Sequence, residues 1–247
     1  SFGREVLVGA QAILEEAQAL HRKRSEVDGE WAGSLSLVSV STGKYVLPRF
    51  LAAFAADHPQ VALQLEVTNR SRVIEMLEEN AVDYAFVSLL PERMEVEALA
   101  LVPNELHIIA PAGWRIPNPE SAAFDEWLRE SPLIFRESGS GTRRAFERLL
   151  AQRGIDATPV WELATNEAVK QAVIAGMGVS LMSIAGFAQE KRLGLLASLP
   201  INEGQGTTWQ LIRRKGKALT PLRALFEGHL KASRETIVAA HFPWARE

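Results

Sequence analysis

A chain of 247 residues, 47% hydrophobic and 23% charged with a formal net charge of −3, has an ordinary globular composition, with room for a sizeable core and for two lobes. The slightly acidic balance argues against these residues wrapping nucleic acid, which calls for a strong basic excess, and no apolar run approaches the roughly 20 residues that span a bilayer. With no cysteine, disulfides and thiolate metal sites are excluded, and a reducing compartment fits.

Residues 1–24 read as a lone helix. Val6, Ala10, Ile13, Ala17 and Leu20 recur at alternating steps of four and three, the spacing of a coiled-coil seam. An amphipathic helix lying on its own domain accounts for the same pattern. Glu5, Glu15 and Glu16 interrupt the stretch, so it is not expected to be a secretory signal. Ser1 in place of a start Met is what a processed or truncated piece of a longer chain would show. "SEVDGEWAG" (25–33) then ends the helix with polar residues and glycines.

From there strands and helices alternate. "SLSLVSV" (34–40) reads as a strand, followed by a helix from about Lys44 whose Leu47, Phe50, Leu51, Phe54 and Ala55 form an apolar stripe, with Pro48 in its first turn. "VALQLEV" (61–67) is a strand, "RSRVIEMLEEN" (70–80) a helix and "DYAFVSL" (83–89) a buried strand, with "ALALV" and "ELHIIAP" as further strands. This order implies a mainly parallel sheet covered by helices on both faces. The proline-rich "PAGWRIPNPES" (111–121) marks the expected boundary. The alternation then restarts: helix 122–130, strand "LIF", helix 141–153, strand "VWEL", helix 166–175, strand "VSLM", strand "TTWQLIRR" (207–214) and a long closing helix over 220–241. Two copies of one layer plan predict two α/β lobes with a cleft between them, and ligands of open α/β sheets sit beyond the carboxyl ends of strands.

Four loops after strands are rich in donors. They carry Ser41, Thr42, Gly43 and Lys44; Thr68, Asn69 and Arg70; "FRESGSGTRR" with Ser138, Ser140, Thr142, Arg143 and Arg144; and Thr165 with Asn166. Helix starts leave backbone N–H groups unpaired and carry the positive end of the dipole, so they accept anions, and Lys44 or Arg143 would supply compensating charge. Taken singly, Ser41, Thr42, Ser140 and Asn166 are equally explained as plain helix caps. A single cleft collecting such starts from both lobes favours an anion site. Glu137 is unfavourable there unless it pairs with Arg136 or binds a ligand hydroxyl. Enzyme signals are poor: "GSGTRR" lacks the third glycine of a dinucleotide fingerprint and the lysine of a P-loop, no G-x-S-x-G elbow occurs, and His21, His58, His107, His229 and His241 never fall at metal-ligand spacing. Binding without catalysis, cofactor or metal is the expectation.

The stretches "STGKYVLPRFLAAFAADHPQVALQLEVTNRSRVIEMLEENAVDYAFV", "FRESGSGTRRAFERLLAQRGI", "ELATNEAVKQAVIAGMGVSLMS" and "WQLIRRKGKALTPLRALFEGHL" resemble, in order, the effector-binding region of a LysR-type transcriptional regulator. The combination S-T-x-K-Y, R-E-x-G-S-G-T-R and S/T-N-E-x-x-K-Q-A-V-x-A-G-x-G is similar to the branch that regulates carbon-dioxide fixation operons. Ser138 departs from it, standing where that branch usually has proline.

The resemblance implies two Rossmann-like lobes with a central cleft, a type 2 periplasmic-binding-protein-like fold preceded by a partial linker helix. Residues 1–33 would be the end of that dimerising helix and its connector, 34–111 plus 214–247 the first lobe, and 112–213 the second. A winged helix-turn-helix that binds DNA precedes such a region in the family and is missing from this chain. The partners implied are a small anionic metabolite as effector, with phosphorylated ones among the candidates, DNA through the missing domain, and a second copy of the chain, in the cytoplasm and with no membrane. Carried over by position, Ser41, Thr42 and Lys44 would face Arg136, Glu137, Ser138, Ser140, Thr142 and Arg143, with Asn69 and Ser88 on the cleft floor and Thr165 and Asn166 on the far wall. Two rivals share the architecture. A solute-binding protein of a transport system would carry an export signal and lack the coiled-coil helix. A small-acid dehydratase would need an acid/base pair, for which Glu137 is the only obvious candidate.

Overall fold

Sequence periodicity turns into two layered lobes whose connecting strands build the floor of a cavity. The structure, a computed structural model, describes residues 31–156, 158–201 and 207–246. The expected helix over residues 1–24 lies outside them. The first lobe is built from β1 (Gly33–Val40), a 3-10 turn (Ser41–Tyr45), α1 (Leu47–Asp57), β2 (Val61–Thr68), α2 (Arg70–Glu78), β3 (Tyr84–Val87) and β4 (Val96–Asn104). The second takes β5 (Leu106–Pro111), α3 (Ala122–Glu130), β6 (Ile134–Arg136), α4 (Gly141–Gln152), β7 (Trp161–Leu163), α5 (Asn166–Ile174), β8 (Ser180–Ser183), α6 (Ala188–Arg192) and β9 (Leu196–Pro200). The chain then returns to the first lobe as β10 (Thr207–Arg214) and α7 (Pro221–His241).

Alternation along β1 divides the first lobe into two cores. Leu35 and Leu37 point to one face, where Phe50 and Phe54 of α1, Phe226 of α7 and the Phe86–Trp209 stack close over them. Val38 points to the other, against Val73 and Leu77 of α2 with Ala85 and Ile212. In the second lobe Ile108 joins Phe124, Phe135, Phe146 and Leu149 on one side of the sheet. Its neighbour Ile109 joins Val169, Val173 and Phe187 on the other. Each such side chain taken out of water contributes about 1.5–3 kcal/mol, so both sheets are held by helices on two faces.

Pairing refines the expected topology. The first sheet runs β2-β1-β3-β10-β4, with β1 parallel to β2 and β3 but β10 antiparallel to β3 and β4. The second, β8-β5-β9, is antiparallel throughout, and β6 with β7 forms a separate parallel pair. The antiparallel strands follow from the crossings: β4 leads out of the first lobe and β10 leads back in, so the two run in opposite directions. Sheet membership therefore changes at Glu105 and again between residues 200 and 207, rather than at 111 and 213. Strand 106–111 belongs with the second sheet and 207–214 with the first. The proline-rich loop after β5 is a connection inside the second lobe, because hydrogen-bond partners decide which lobe owns a strand. Helix α6 and strand β9, unread in the sequence, complete the second sheet.

Candidate functional site

Strands β1, β2, β3 and β6 all end toward the space between the lobes, and a cavity of about 270 Å³ opens there. From the first lobe it is lined by Val40, Ser41 and Thr42 after β1, Asn69 and Arg70 after β2, and Val87, Ser88 and Leu89 at the end of β3. From the second come Arg136 and Glu137 after β6, then Ser140, Gly141 and Thr142 at the start of α4. The face of α4 continues as Ala145, Arg148, Leu149 and Gln152, a helical spacing that puts all of them on one stripe. The floor is made by the crossing strands, through Asn104, Glu105, Thr207 and Trp209, with Ser183 beside them.

Local chemistry explains how these groups are held. Ser140 is buried and its Oγ accepts from the Arg143 N–H at 3.4 Å, capping α4. Asn69 Oδ1 caps α2 by accepting from the Arg72 N–H at 3.0 Å, and Ser41 donates to the Thr68 carbonyl at 3.2 Å, tying the β1 turn to the end of β2. The turn also requires glycine at 43: a Cβ there would fall 2.1 Å from Ser39 Oγ and 2.8 Å from the Phe86 ring. Gly139, at φ 89°, lies so close to the first lobe that its Cβ would sit 3.1 Å from Ser71 Oγ.

The charges fall into two sets. Arg136 is buried and grips Glu137 with two donors, Nε at 2.7 Å and Nη2 at 3.0 Å, so the pair is internally neutral. Its third arm, Nη1, donates to Asn166 Oδ1. Arg70 makes no carboxylate contact within 4 Å among the described residues, although the charge of Glu92 acts on it. Its Nη2 reaches the carbonyls of Leu89 at 3.4 Å and Leu90 at 3.0 Å, while Nε is buried without an acceptor. Burial, and next the charge of Arg144, holds its guanidinium below the ordinary arginine value. Arg148 on α4 makes no ion pair or hydrogen bond among the described residues. Opposite charge is sparse: Glu105 faces His107 at 3.4 Å. Burial pushes the His107 imidazole down, against the upward pull of Glu105. The cavity thus presents two guanidinium groups without a close ion pair among the described residues, a helix start and several hydroxyls around an otherwise apolar wall.

Of the residues expected at the site, Ser41, Thr42, Asn69, Ser88, Arg136, Glu137, Ser140 and Thr142 line the cavity. Five do not. Lys44 is exposed and rests over the Tyr45 ring at 5.1 Å, and Ser138 is exposed. Arg143 turns away to Glu147 at 2.7 Å and Glu162 at 2.6 Å. Thr165 caps α5 by accepting from the Ala168 N–H at 3.0 Å. Asn166 stands behind the wall and bonds Thr42. Residues missed in the sequence include Arg148 and Gln152, though the three- and four-residue spacing from Thr142 puts them on the same stripe, and Asn104 and Thr207, which only the crossing brings together. Among the described residues no three of His, Asp or Glu are placed to hold a metal, and no helix is long and apolar enough to cross a membrane.

Residues 28–234 match the family model for the LysR substrate binding domain. The chain is 35% identical over 226 residues, 91% of its length and 74% of the relative's, to the RuBisCO operon transcriptional regulator of Allochromatium vinosum. It is 31% identical over 240 residues to the HTH-type transcriptional activator CmpR of Synechocystis, covering 96% of this chain and 78% of that one. Among solved structures, the regulatory domain of Synechocystis CcmR in complex with 2-PG superposes with a TM-score of 0.74 at 30% identity, over 82% of this chain and 98% of that one.

Proposed function

The chain belongs to the LysR substrate-binding family and is the effector-binding domain of a LysR-type regulator, and on that premise we propose that its interlobe cavity takes a small anionic metabolite, a phosphate ester or a carboxylic acid. The observation that carries this is the pair of guanidinium groups, Arg70 from one lobe and Arg148 from the other, that line one cavity and form no ion pair within 4 Å among the described residues. An acidic group seated between the start of α4 and Arg70 would meet Ser140, Thr142 and Ser88 as donors. Arg148, about two turns along α4, would serve the rest of the molecule. The CcmR regulatory domain solved with 2-PG supports a phosphorylated ligand.

A ligand touching both lobes binds one lobe arrangement better than another, which is the requirement for it to act as a signal. DNA would be contacted by a separate helix-turn-helix domain, in a homo-oligomer working in the cytoplasm. Arg136 and Glu137 neutralise each other, and Lys44, Ser138, Arg143 and Thr165 do not line the cavity, so the reading does not lean on them.

A thermal-shift screen of 2-PG, other phosphate esters, dicarboxylates, sulfate and neutral sugars tests the assignment. A phosphorylated acid at a hundred times its Kd is expected to stabilise the chain by about 2.7 kcal/mol. Stabilisation by neutral sugars alone, or by no compound, would sink it.

A further inference from the structure

A hydrogen-bond relay crosses between the lobes beside the cavity. It begins at Glu137, which holds Arg136 by two bonds, and passes from Arg136 Nη1 to Asn166 Oδ1. It ends where Asn166 Nδ2 donates to Thr42 Oγ1 at 2.7 Å. Thr42 belongs to the first lobe; the other three belong to the second. Asn166 is 2% exposed and does not line the cavity, whereas Thr42 and Arg136 do. The residue was read in the sequence as a cap or a ligand contact; the cap is Thr165, and Asn166 lies behind the cavity wall.

The chemistry of each group dictates the next. An asparagine side chain has a donor end and an acceptor end. Arg136 can only donate, so Oδ1 must face it and Nδ2 must face Thr42. That amide occupies the acceptor side of the threonine hydroxyl, so the hydroxyl proton must point elsewhere. No acceptor for that proton exists among the described residues, and Thr42 is 6% exposed at the cavity wall. A buried donor left without a partner is costly, so an acidic oxygen in the cavity meets a donor already turned toward it.

We propose that Asn166 is a positioning residue that arms the cavity: it clasps Thr42 only when the lobes meet, and in doing so turns the Thr42 hydroxyl into a donor for an acidic ligand. This deepens the effector-binding reading and rests on it for the ligand. The clasp itself is independent of ligand. With the lobes apart, Thr42 can donate to water or accept from it, and nothing fixes its proton. Closure and anion recognition are thereby one event, read by a single hydroxyl.

The chain has no cysteine, so spin labels on Arg49→Cys of α1 and Glu130→Cys of α3, both exposed sites, report the interlobe distance cleanly. Asn166→Ala and Thr42→Val are each expected to lengthen or broaden that distance in unliganded protein. Each is also expected to weaken 2-PG binding about tenfold, and the double variant to bind within about twofold of Thr42→Val alone, since the two act through one group. Should Asn166→Ala fail to fold, Thr42→Val breaks the same bond from the other lobe. An unchanged distance distribution overturns the clasp, and losses that multiply in the double variant overturn the relay through Thr42. If the parent binds neither 2-PG nor any other anion, the effector reading fails, while the label distances still decide the clasp.

Discussion

Arg143 and Arg148 show how much depends on one turn of helix. Both stand on α4, and Arg143, beside the glycines and hydroxyls of "SGSGTR", looks like the natural counter-charge for an anion. The structure spends it on Glu147 and Glu162, with a further bond from Nη1 to the Arg136 carbonyl at 3.0 Å. Arg148, five residues on, falls on the cavity stripe instead. Arg143→Ala is therefore expected to leave 2-PG affinity within about twofold and to cost at most about 1 kcal/mol of stability, as partly exposed ion pairs do. Arg148→Gln is expected to lower that affinity about tenfold while unfolding at the same urea concentration. Titration calorimetry with both variants compares them directly. The loop was legible because strand ends, glycines and caps are local signals. Which arginine faces inward was not, because Glu162 lies on β7, a separate element whose position depends on pairing with β6.

At the scale of elements, helix and strand periods were readable nearly throughout, including the long closing helix, which starts at Pro221 behind the Thr220 cap. What holds α7 in place was not readable. Asp83, in the turn before β3, accepts from the Ser36 N–H at 2.8 Å and Ser36 Oγ at 3.0 Å, and pairs with Arg223 of α7. Lys217 stands 3.7 Å away. Burial alone would push its carboxyl up, but the Ser36 backbone bond, Arg223 and Lys217 together hold it below the usual carboxylate value. A depressed folded pKa means stability that is fully present above the unfolded value, about 3.9, and lost as pH falls through the folded value. Asp83→Asn is expected to cost about 2 kcal/mol at pH 7, as hydrogen bonds to a charged group do. The gap to the parent should close in strong acid, below the folded pKa. Urea unfolding at pH 7 and in strong acid checks both parts. A gap that persists unchanged in acid would show that the carboxylate charge is not what ties α7 to the sheet.

For the whole molecule, the decisive place is where the chain changes lobes. Asn104 ends β4, and its Nδ2 donates to Thr207 Oγ1 at 2.7 Å at the start of β10, while Ser183 of the second sheet donates to its Oδ1 at 2.6 Å. One side chain thus joins both crossings to the second lobe at the cavity floor. Asn104→Ala is expected to cost about 1–2 kcal/mol, for two buried bonds lost, and to broaden the interlobe label distances. An unaltered distribution would show that the crossing strands alone set the lobe angle. Sequence alone determined the elements, their alternation, the apolar faces and the donor-rich loops, because period, caps and glycines act over a few neighbouring residues. Only the tertiary structure decided that β5 and β10 exchange lobes, that the second sheet is antiparallel, that Arg143 turns to Glu162, and that Asn166 reaches across to Thr42. Those outcomes depend on pairings between residues up to 124 positions apart, which no local pattern encodes.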